Sequence, residues 1–526
     1  MAAAAVSDEA VVVGSGPNGL AAAITLAEAG RAVTVLEAAD HVGGAVATEE
    51  LTLPGFRHDT FSAVYPASAA SPVFARWPLE RHGLRWVHPR YCYAHPLPDG
   101  RAAALARDLD ETAASLDRLH PGDGEAWQRF AGPYLDHFGA WRDTMLGGFP
   151  PLPGALKLLA ALRLRGTLDW ARLLLMPAHA LAHSLFEADG ARAWLYGSAM
   201  HGDVPPHGGG SAIAAAHLNL MGHAVGWPSP EGGAGRLAAA LTGHLTSLGG
   251  AVRTGADVTR VHVERRRVAG VELADGERIS ARLVIADVTP HGLLRIAGHA
   301  LDGRYAAEMS RYRYGPATLK LDWALSAPIP WEAPEAGEAG TVHVGGSERE
   351  VLDALAPAGG GLHERPFLLL GQQSLADPTR APAGQHTAWA YTHGPQAADW
   401  AHETDRHAER VEAQVERFAP GFRELILARH VQGPADLERR NPNLVGGDVG
   451  AGSYTLDQVV FRPLPSLSPY RTPIRGLYLG SAAAFPGGSV HGVPGYAAAR
   501  TALAEARIRR PLDAVGRADD RVPGAG

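Results

Sequence analysis

The sequence Val11–Ala38, VVVGSGPNGLAAAITLAEAGRAVTVLEA, predicts the fold of the first part of the chain. The apolar run Val11–Val13 predicts a short buried strand, and the residues after Gly19 predict a helix. A second apolar run ends at Glu37 and predicts another strand. A strand, a tight turn, a helix and a strand within roughly 30 residues form a βαβ unit. We therefore expect a parallel sheet and an α/β fold.

Three glycines lie in the turn between the first predicted strand and the helix. Gly14, Gly16 and Gly19 have the spacing G-x-G-x-x-G. The triplet is a weak signal by itself, but here it follows a strand and begins a helix, which is the context in which it binds a dinucleotide. Gly14 permits the tight turn, Gly16 lets the backbone approach a diphosphate, and Gly19 lets the helix pack closely on the strand. The helix N-terminus adds partial positive charge.

The acidic residue at the end of the second predicted strand indicates which nucleotide binds. Glu37 lies 18 residues after Gly19, close to the spacing of about 20 residues at which a carboxylate accepts hydrogen bonds from an adenosine ribose. A carboxylate at this position would repel a 2′-phosphate. The sequence therefore favours FAD or NAD over NADP.

Two further motifs resemble those of a known family. Gly43 and Gly44, in DHVGGAVAT (40–48), are similar to the second glycine motif of FAD-dependent enzymes of the glutathione reductase class. Together with Val11–Ala38 and LPGFRHDTFS (53–62), this region resembles the phytoene desaturase family of flavoproteins. The stretch Asn441–Ala499, which ends in GLYLGSAAAFPGGSVHGVPGYAAA (476–499), is similar to the C-terminal signature of that family, and resembles most the branch of pyridine nucleotide-disulphide oxidoreductase domain-containing protein 2.

This resemblance implies FAD as the cofactor, held in a Rossmann-like domain. One departure is Ser481, where many FAD enzymes carry an acidic residue for the ribityl chain, which weakens the case for a side-chain contact there. The residues that the resemblance assigns to FAD are Gly14, Ser15, Gly16, Asn18 and Gly19 at the diphosphate, Glu37 at the ribose, Gly43 and Gly44 at the inner diphosphate, Val258 and Asp287 through backbone contacts, Gly480 and Ser481 at the last strand, and Gly488 and Val490 at the start of a C-terminal helix beneath the flavin.

Composition excludes several other classes of protein. The formal net charge is −7, whereas a nucleic-acid-binding protein needs a basic face. Cys92 is the sole cysteine, which excludes a disulfide framework, a cysteine-built metal site and the dithiol chemistry of disulfide reductases. Amine oxidases usually carry an arginine beside the glycine pair, and this chain has Val42 and Ala45 there, so the desaturase branch is favoured over the amine oxidase branch.

A chain of 526 residues is too long for one hydrophobic core, since single domains rarely exceed about 250 residues. The α/β patterns lie at the beginning, middle and end, with helical and mixed segments between them. We expect an overall α+β architecture. The FAD-binding domain would comprise residues 1–75, 231–300 and 441–510, a substrate domain with a mixed sheet and helices would comprise 76–230 and 301–440, and 511–526 would form a polar tail.

Two residues are candidates for chemistry beside the flavin. Lys320 lies in ATLKLDWALS (317–326), and a lysine near the flavin N5 of related amine oxidases holds a water that assists the reaction with oxygen. The alternative places Lys320 on the solvent face beside Asp322. His491, in GGSVHGVPG (487–495), lies where the C-terminal helix is expected to meet the flavin. The alternative is a histidine that caps the turn.

Four other histidines belong to the predicted substrate domain. His201 and His207 lie in the predicted loop MHGDVPPHGGG (200–210), where they either line a pocket or serve the structure. His179 and His183 are one helical turn apart, a spacing that suits a metal pair. Neither an H-E-x-x-H pattern nor an obvious third ligand accompanies them, so the sequence predicts no metal.

The leading hypothesis is an FAD-dependent dehydrogenase of the phytoene desaturase type. It would transfer a hydride from a small apolar substrate to flavin N5 and form a C=C bond, and oxygen or a quinone would reoxidise the flavin. The alternatives are an amine or alcohol oxidase, a redox-neutral polyene isomerase and a flavin-bearing interaction protein without activity. The sequence does not indicate the oligomeric state.

The distribution of apolar and basic residues indicates whether the protein is secreted, spans a membrane or contacts one at its surface. The N-terminus lacks a basic segment followed by an apolar one, so we expect no secretory signal and a cytoplasmic location. We expect no transmembrane helix, because every long uncharged stretch is interrupted by His, Pro and Gly. The leucine-rich segment 152–186 predicts amphipathic helices over a core or pocket, with peripheral contact with a membrane or a lipid-like substrate as the alternative.

Overall fold

The computed structural model describes residues 10–356 and 361–519, in which strands form five sheets. The strands of these residues are β1 (Ala10–Val13), β2 (Val33–Leu36), β3 (Thr48–Glu49), β4 (His58–Asp59), β5 (Trp86–Val87), β6 (Tyr91–Pro96), β7 (Ala102–Ala106), β8 (Ser229–Pro230), β9 (Ala251–Arg253), β10 (Val258–Glu264), β11 (Arg267–Leu273), β12 (Arg278–Ser280), β13 (Leu283–Ala286), β14 (Ala317–Leu325), β15 (Ala339–Val344), β16 (Leu368–Gly371), β17 (His386–Gly394), β18 (Ile426–Gln432) and β19 (Leu477–Leu479).

Helices connect and cover these strands. The α-helices of the described residues are α1 (Pro17–Glu28), α2 (Pro66–Ala69), α3 (Leu109–Asp117), α4 (Asp123–Leu135), α5 (Phe138–Met145), α6 (Leu152–Leu175), α7 (Ala178–Leu185), α8 (Asp189–Met200), α9 (Ser211–Val225), α10 (Gly235–Ser247), α11 (Pro290–Ala297), α12 (Gly303–Ser310), α13 (Pro334–Gly337), α14 (Glu348–Leu355), α15 (Trp400–Glu416), α16 (Pro434–Arg440), α17 (Leu456–Val459) and α18 (Val493–Asp519).

The first sheet is parallel and has the strand order β19-β13-β1-β2-β9. Its central strand β1 is buried on both faces, as expected for a parallel sheet covered by helices. Helices α1, α10 and α18 supply much of the apolar core around it. The strands come from the beginning, the middle and the end of the chain, and β13 is hydrogen-bonded on one side to β1 and on the other to β19. A small antiparallel sheet, β10-β11-β12, adjoins this core. This is the α/β fold that the sequence predicted.

The second large sheet has seven strands in the order β18-β14-β17-β16-β15-β6-β7. Its neighbours pair antiparallel except β15 and β6, which pair parallel. The helices of 109–225 and the sheet share one apolar core, and α15 covers a second core with β14, β15 and β17. The molecule is therefore α+β overall, with a parallel nucleotide-type half and a mixed-sheet half.

Three expectations from the sequence concern the helices. The leucine-rich segment 152–186 forms two helices, because α6 ends at Leu175 and Pro177 precedes α7. The predicted polar tail after residue 510 continues α18 as far as Asp519, and residues 520–526 lie outside the described part of the chain. Among the described residues, none of the helices has the length and the apolar character needed to cross a membrane.

A buried charge cluster joins the two halves. Arg380, which is 1% exposed, donates from Nη1 to Asp59 Oδ2 over 2.9 Å and from Nε to Asp377 Oδ2 over 2.8 Å. The other oxygen of Asp59 accepts a hydrogen bond from the backbone N of Ala234 over 2.7 Å. Asp59 belongs to the β3–β4 hairpin of the nucleotide half, whereas Arg380 and Asp377 precede β17 of the seven-stranded sheet. The ion pairs therefore hold the hairpin against the second sheet.

Replacing Arg380 with methionine tests this junction. R380M would leave two buried carboxylates without their counter-charge, which costs about 3–5 kcal/mol of unfolding free energy. We expect the urea midpoint of R380M to fall accordingly. The control is R349A, because Arg349 is 92% exposed and its partner Asp353 lies 3.7 Å away on the same helix surface. Equal midpoints for R380M and the parent protein would contradict a structural role for the cluster.

Candidate active site

The glycine turn between β1 and α1 leaves no room for side chains. Gly14 has φ +94°, a conformation that favours glycine. A Cβ on Gly19 would lie 2.1 Å from the carbonyl oxygen of Gly14, and one on Gly16 would lie 2.7 Å from Oδ2 of Asp287. These distances match the roles expected of the motif, namely a tight turn and close packing of helix on strand.

Ser15 connects the three sequence motifs of the nucleotide half behind this turn. Its hydroxyl donates to Oε2 of Glu37 over 2.6 Å and accepts a hydrogen bond from the backbone N of Gly43 over 3.1 Å. The other oxygen of Glu37 accepts a hydrogen bond from the N of Ala39 over 2.9 Å. The carboxylate of Glu37 is therefore fixed at the cavity edge.

Asp287, for which the resemblance predicts a backbone contact with FAD, also supports the glycine turn through its side chain. Its Oδ2 accepts a hydrogen bond from the backbone N of Gly19 over 2.8 Å. Burial raises the pKa of Asp287 to about 7, and the neighbouring Glu37 adds to the effect. The amide of Gly19 is thereby occupied inside the protein rather than presented to a diphosphate.

A cavity of about 1210 Å³ begins at this turn and extends towards α6 and α9. Five of the residues predicted to bind FAD do not line the cavity. They are Ser15, Gly19, Gly43, Gly480 and Ser481. The predicted residues that line the cavity are Gly14, Gly16, Asn18, Glu37, Gly44, Val258, Asp287, Lys320, Gly488, Val490 and His491.

Gly480 and Ser481 stay behind the wall because they close the last strand. A Cβ on Gly480 would lie 2.8 Å from Cγ2 of Ile285, and its N donates to the carbonyl of Ala286 over 2.9 Å. The buried hydroxyl of Ser481 accepts a hydrogen bond from the N of Ala483 over 3.3 Å. The residue that reaches the cavity at this position is Ala482.

One face of the seven-stranded sheet contributes polar side chains to the opposite wall. Thr318 and Lys320 on β14 pair in register with His393 and Tyr391 on β17. Thr318, Lys320 and Tyr391 line the cavity. Residues at alternate positions of a strand lie on the same face of the sheet, so these neighbours form a contiguous polar patch in a largely apolar space.

Lys320 is buried, so the alternative that placed it on a solvent face is wrong. Its side chain is 4% exposed, and Nζ donates to both carboxylate oxygens of Asp322 over 2.5 Å. Burial raises the pKa of Asp322 to about 6, and the ammonium opposes this shift. Both faces of β14 are covered, so neither faces water. The alternation of apolar and polar residues in its sequence did not reveal this.

His58 is a neighbour of this pair that the sequence analysis did not select. Its Nδ1 lies 3.7 Å from Oδ1 of Asp322, and its Nε2 is 2.7 Å from Oγ1 of Thr52. Burial, reinforced by the charge of Lys320, lowers the pKa of His58 to about 3. His58 is therefore neutral at pH 7, and Lys320 with Asp322 forms a compact ion pair beside it.

His491 both caps a helix and lines the cavity, so the two interpretations hold together. Its Nδ1 accepts a hydrogen bond from the N of Val493, 3.2 Å away, and its Nε2 lies 3.0 Å from the carbonyl oxygen of Gly488. Burial lowers its pKa to about 4, so the ring is neutral. The C-terminal helix begins at Val493. Gly488 and Val490 were expected to start it, and they instead form the preceding loop.

An aspartate–histidine pair lies at the same wall and was missed by the sequence analysis. Oδ1 of Asp203 is 2.9 Å from Nε2 of His393, and the two side chains are 7% and 11% exposed. Asp203 has φ +54°, an uncommon conformation for a residue with a side chain, and it lines the cavity. The carboxylate of Asp203 raises the pKa of His393 against the effect of burial. The two residues are distant in the chain, so no local pattern announces the pair.

His201, which lies two residues before Asp203, also lines the cavity, and its Nε2 is 3.0 Å from Nε2 of His343. The parallel sheet, the glycine turn and the shared cavity are those of a dinucleotide-binding protein. Residues 12–77 match an NAD(P)-binding Rossmann-like domain, and residues 101–503 match the family described as flavin containing amine oxidoreductase.

The chain belongs to the flavin-containing amine oxidoreductase family, and its cofactor is FAD. It is 30% identical to pyridine nucleotide-disulfide oxidoreductase domain-containing protein 2 of Rattus norvegicus, over 93% of this chain and 92% of the relative. It is 26% identical to a lycopene-forming phytoene desaturase of Pseudescherichia vulneris, over 94% and 98%. An oxidoreductase structure from Methanosarcina mazei shares the fold with a TM-score of 0.64, at 16% identity over 94% of this chain and 100% of the other.

The residues of the cavity fit FAD. Within the described part of the chain, the buried Oδ1 of Asn18 has no hydrogen-bond partner, and α1 begins without a side-chain cap. A Cβ on Gly44 would lie 3.2 Å from Cα of Gly16, so the two glycine motifs meet in a cradle without side chains. An uncapped helix N-terminus beside such a cradle suits a diphosphate. Asn18, Gly16 and Gly44 would hold that group, and Glu37 would hold the adenosine ribose.

Two substitutions test this assignment. G16V would place side-chain atoms in the cradle and against Asp287, and E37A would remove the ribose acceptor. We expect both proteins to purify with little flavin absorbance, while a matched substitution of an exposed glutamate, E264A, keeps full absorbance. If G16V or E37A retains a full complement of FAD at parent-like affinity, the placement of the dinucleotide is wrong.

Proposed function

We propose that the protein is an FAD-dependent dehydrogenase of the desaturase type, which removes a hydride and a proton from adjacent carbons of an apolar substrate to form a C=C bond. The observation that carries this proposal is the apolar far end of the cavity, lined by Trp170, Leu174, Ile213, Leu218 and Met221. The volume of about 1210 Å³ exceeds the range typical of a site for one small ligand, roughly 300–1,000 Å³, as expected when cofactor and substrate share it.

Different residues of the chain would position the substrate and accept its proton. FAD, when bound, supplies the acceptor for the hydride. The apolar walls orient the substrate and exclude water, which holds a reacting C–H bond in place. Asp203 is the group placed to accept the proton, because its carboxylate lines the cavity and contacts His393. Lys320 is less suited to this role, since its ammonium is bound to both oxygens of Asp322.

The names of relatives support this class of substrate without identifying it. The Pseudescherichia vulneris relative is named for desaturation of phytoene. The family description names amine oxidation, which makes an amine oxidase the second candidate. Lys320 on the cavity wall favours that candidate, because the resemblance assigns a lysine at this place to the reaction with oxygen. The two candidates differ in substrate and in product, so they can be separated directly.

Anaerobic bleaching of the bound flavin tests the proposal. We expect the holoenzyme to bleach with a polyene or terpene hydrocarbon and to yield a product two hydrogens lighter, and not to bleach with amines or alcohols. D203N should retain FAD but bleach about 10²–10⁴-fold more slowly, because the proton acceptor is lost. D457N serves as a control, since Asp457 is an exposed aspartate paired with Arg313.

Each other outcome overturns part of the proposal. Bleaching by amines alone, with release of hydrogen peroxide in air, would establish an amine oxidase. A product of unchanged mass that forms only on the reduced enzyme would establish an isomerase. No bleaching by any compound would favour a flavin-bearing interaction protein. Parent-like bleaching of D203N would remove Asp203 from the mechanism but leave the reaction class intact.

The electron acceptor of the proposed cycle is oxygen or a quinone. The cavity joins the FAD cradle to an apolar surface, through Leu175, Leu456 and Val460. These residues are 66%, 40% and 44% exposed. An apolar acceptor could therefore use the same opening as the substrate. Mixing the reduced enzyme with air-saturated buffer or with a soluble quinone, and comparing the rates of reoxidation, identifies the acceptor.

The same opening supports peripheral contact with a membrane, which is part of the proposal. Helix α6 exposes a row of leucines, including Leu164 at 77% and Leu168 at 63%. Basic residues of α6 lie among them, namely Lys157, Arg163, Arg165 and Arg172, and all four are exposed. Exposed leucines with interleaved cations suit an anionic lipid surface. The substrate would then enter the cavity from the lipid.

Flotation with vesicles checks this contact. We expect the holoenzyme to float with phosphatidylcholine vesicles that contain phosphatidylserine, and the double variant L164E/L168E to remain at the bottom with FAD still bound. L248E is the matched control, because Leu248 is 38% exposed at the end of α10 in the nucleotide half. Equal flotation of the double variant and the parent would refute α6 as the contact.

A further inference from the structure

Three side chains outside the cavity converge on the surface of the helical part. His179 and His183 lie on one face of α7, and Glu348 is the first residue of α14. Their ligand atoms all lie within 4.8 Å of one another. Nε2 of His183 is 2.9 Å from Oε1 of Glu348. No third ligand is evident near the two histidines in the sequence, and the fold brings Glu348 to them from a distant part of the chain.

The carboxylate of Glu348 is held in place from behind. Its Oε2 accepts a hydrogen bond from Nε of Arg192 over 2.7 Å, and its Oε1 accepts one from the hydroxyl of Tyr196 over 2.7 Å. Ser347 and Glu350 form a capping box that fixes the start of α14. Glu348 is 12% exposed. Partners of this kind orient metal-binding carboxylates in known sites, and they point this one at the histidines.

A third histidine adjoins the cluster. The ring of His207 is centred 4.4 Å from that of His179, and the rings of His179 and His183 are 4.3 Å apart. His207 belongs to the loop between α8 and α9, and its side chain is exposed. Its ring is therefore a direct neighbour of the cluster on the solvent side.

We propose that His179, His183 and Glu348 form a binding site for a divalent transition-metal ion of the zinc class, with His207 as the fourth ligand. Two imidazoles and one carboxylate are a donor set that zinc uses, at about 2.0–2.2 Å from each ligand atom. Zinc and its neighbours in the first transition row bind imidazole well, whereas calcium and magnesium prefer oxygen ligands alone. The helical spacing of the two histidines matches the reach of one ion.

The site would fasten three segments, one of which, the loop between α8 and α9, lines the cavity. The backbone N of His179 donates to the carbonyl of Pro206 over 2.9 Å, so α7 already contacts the loop that contains Asp203. Glu348 belongs to the segment that follows β15. An ion at this place would link α7, α14 and the loop, which makes its role structural. The inference is independent of the reaction proposed above.

Metal titration of the holoenzyme, first stripped with a chelator, tests the site. We expect one equivalent of Zn²⁺ to bind and to raise the thermal midpoint, and Co²⁺ to give the visible absorption of a four-coordinate site. H179N/H183N should lose this equivalent. Y196F should bind about 10-fold to 100-fold more weakly, because a partner that orients the carboxylate is lost.

The control is H402N. His402 also contacts a carboxylate, that of Asp399 at 2.9 Å, on an exposed helix start but without a neighbouring histidine. We expect H402N to bind Zn²⁺ as the parent does. FAD content, measured for every variant, shows that the proteins are folded. One equivalent bound equally by the parent and H179N/H183N, or no equivalent bound by the parent, would overturn the proposal.

Discussion

A buried guanidinium between two carboxylates sets the relation between the halves of the molecule. Arg380 contacts Asp59 and Asp377, and all three are removed from water. Each charge in such a cluster is tolerated only while its partners are present. The hairpin that carries Asp59 also carries His58, which lies beside the Lys320–Asp322 pair. The position of that pair relative to the FAD cradle therefore depends on the junction.

The division of labour between the halves follows from their sheets. The parallel sheet ends in a glycine turn where backbone is exposed, which suits a charged cofactor. The seven-stranded sheet presents Thr318, Lys320 and Tyr391 on one face, and the helices of 109–225 provide an apolar cover. The cavity lies where these surfaces meet. Asp203 enters it from a loop, and loops can hold residues in conformations that regular elements do not allow.

The sequence predicted what depends on local pattern and missed what depends on distant contacts. The turn at Gly14, Gly16 and Gly19 was predictable, because close backbone approaches require glycine at fixed spacing. The burial of Lys320 was not, since a strand covered on both sides has the same alternation as one facing water. The pairing of Asp203 with His393, and the approach of Glu348 to His183, join distant residues through tertiary structure alone. Ser481, predicted from the resemblance, does not line the cavity, and its hydroxyl accepts a hydrogen bond from the N of Ala483.

The carboxyl group of Asp287, which is hydrogen-bonded to the glycine turn, would link binding of the cofactor to its own protonation. The pKa of Asp287 is about 7 because the group is buried, so near neutral pH the side chain exchanges between neutral and ionised forms. A diphosphate placed above it disfavours the ionised form and raises that pKa further. Binding of FAD would then be accompanied by proton uptake, and by reciprocity a fall in pH would tighten binding of the cofactor. The glycine turn would thus couple the affinity for FAD to pH.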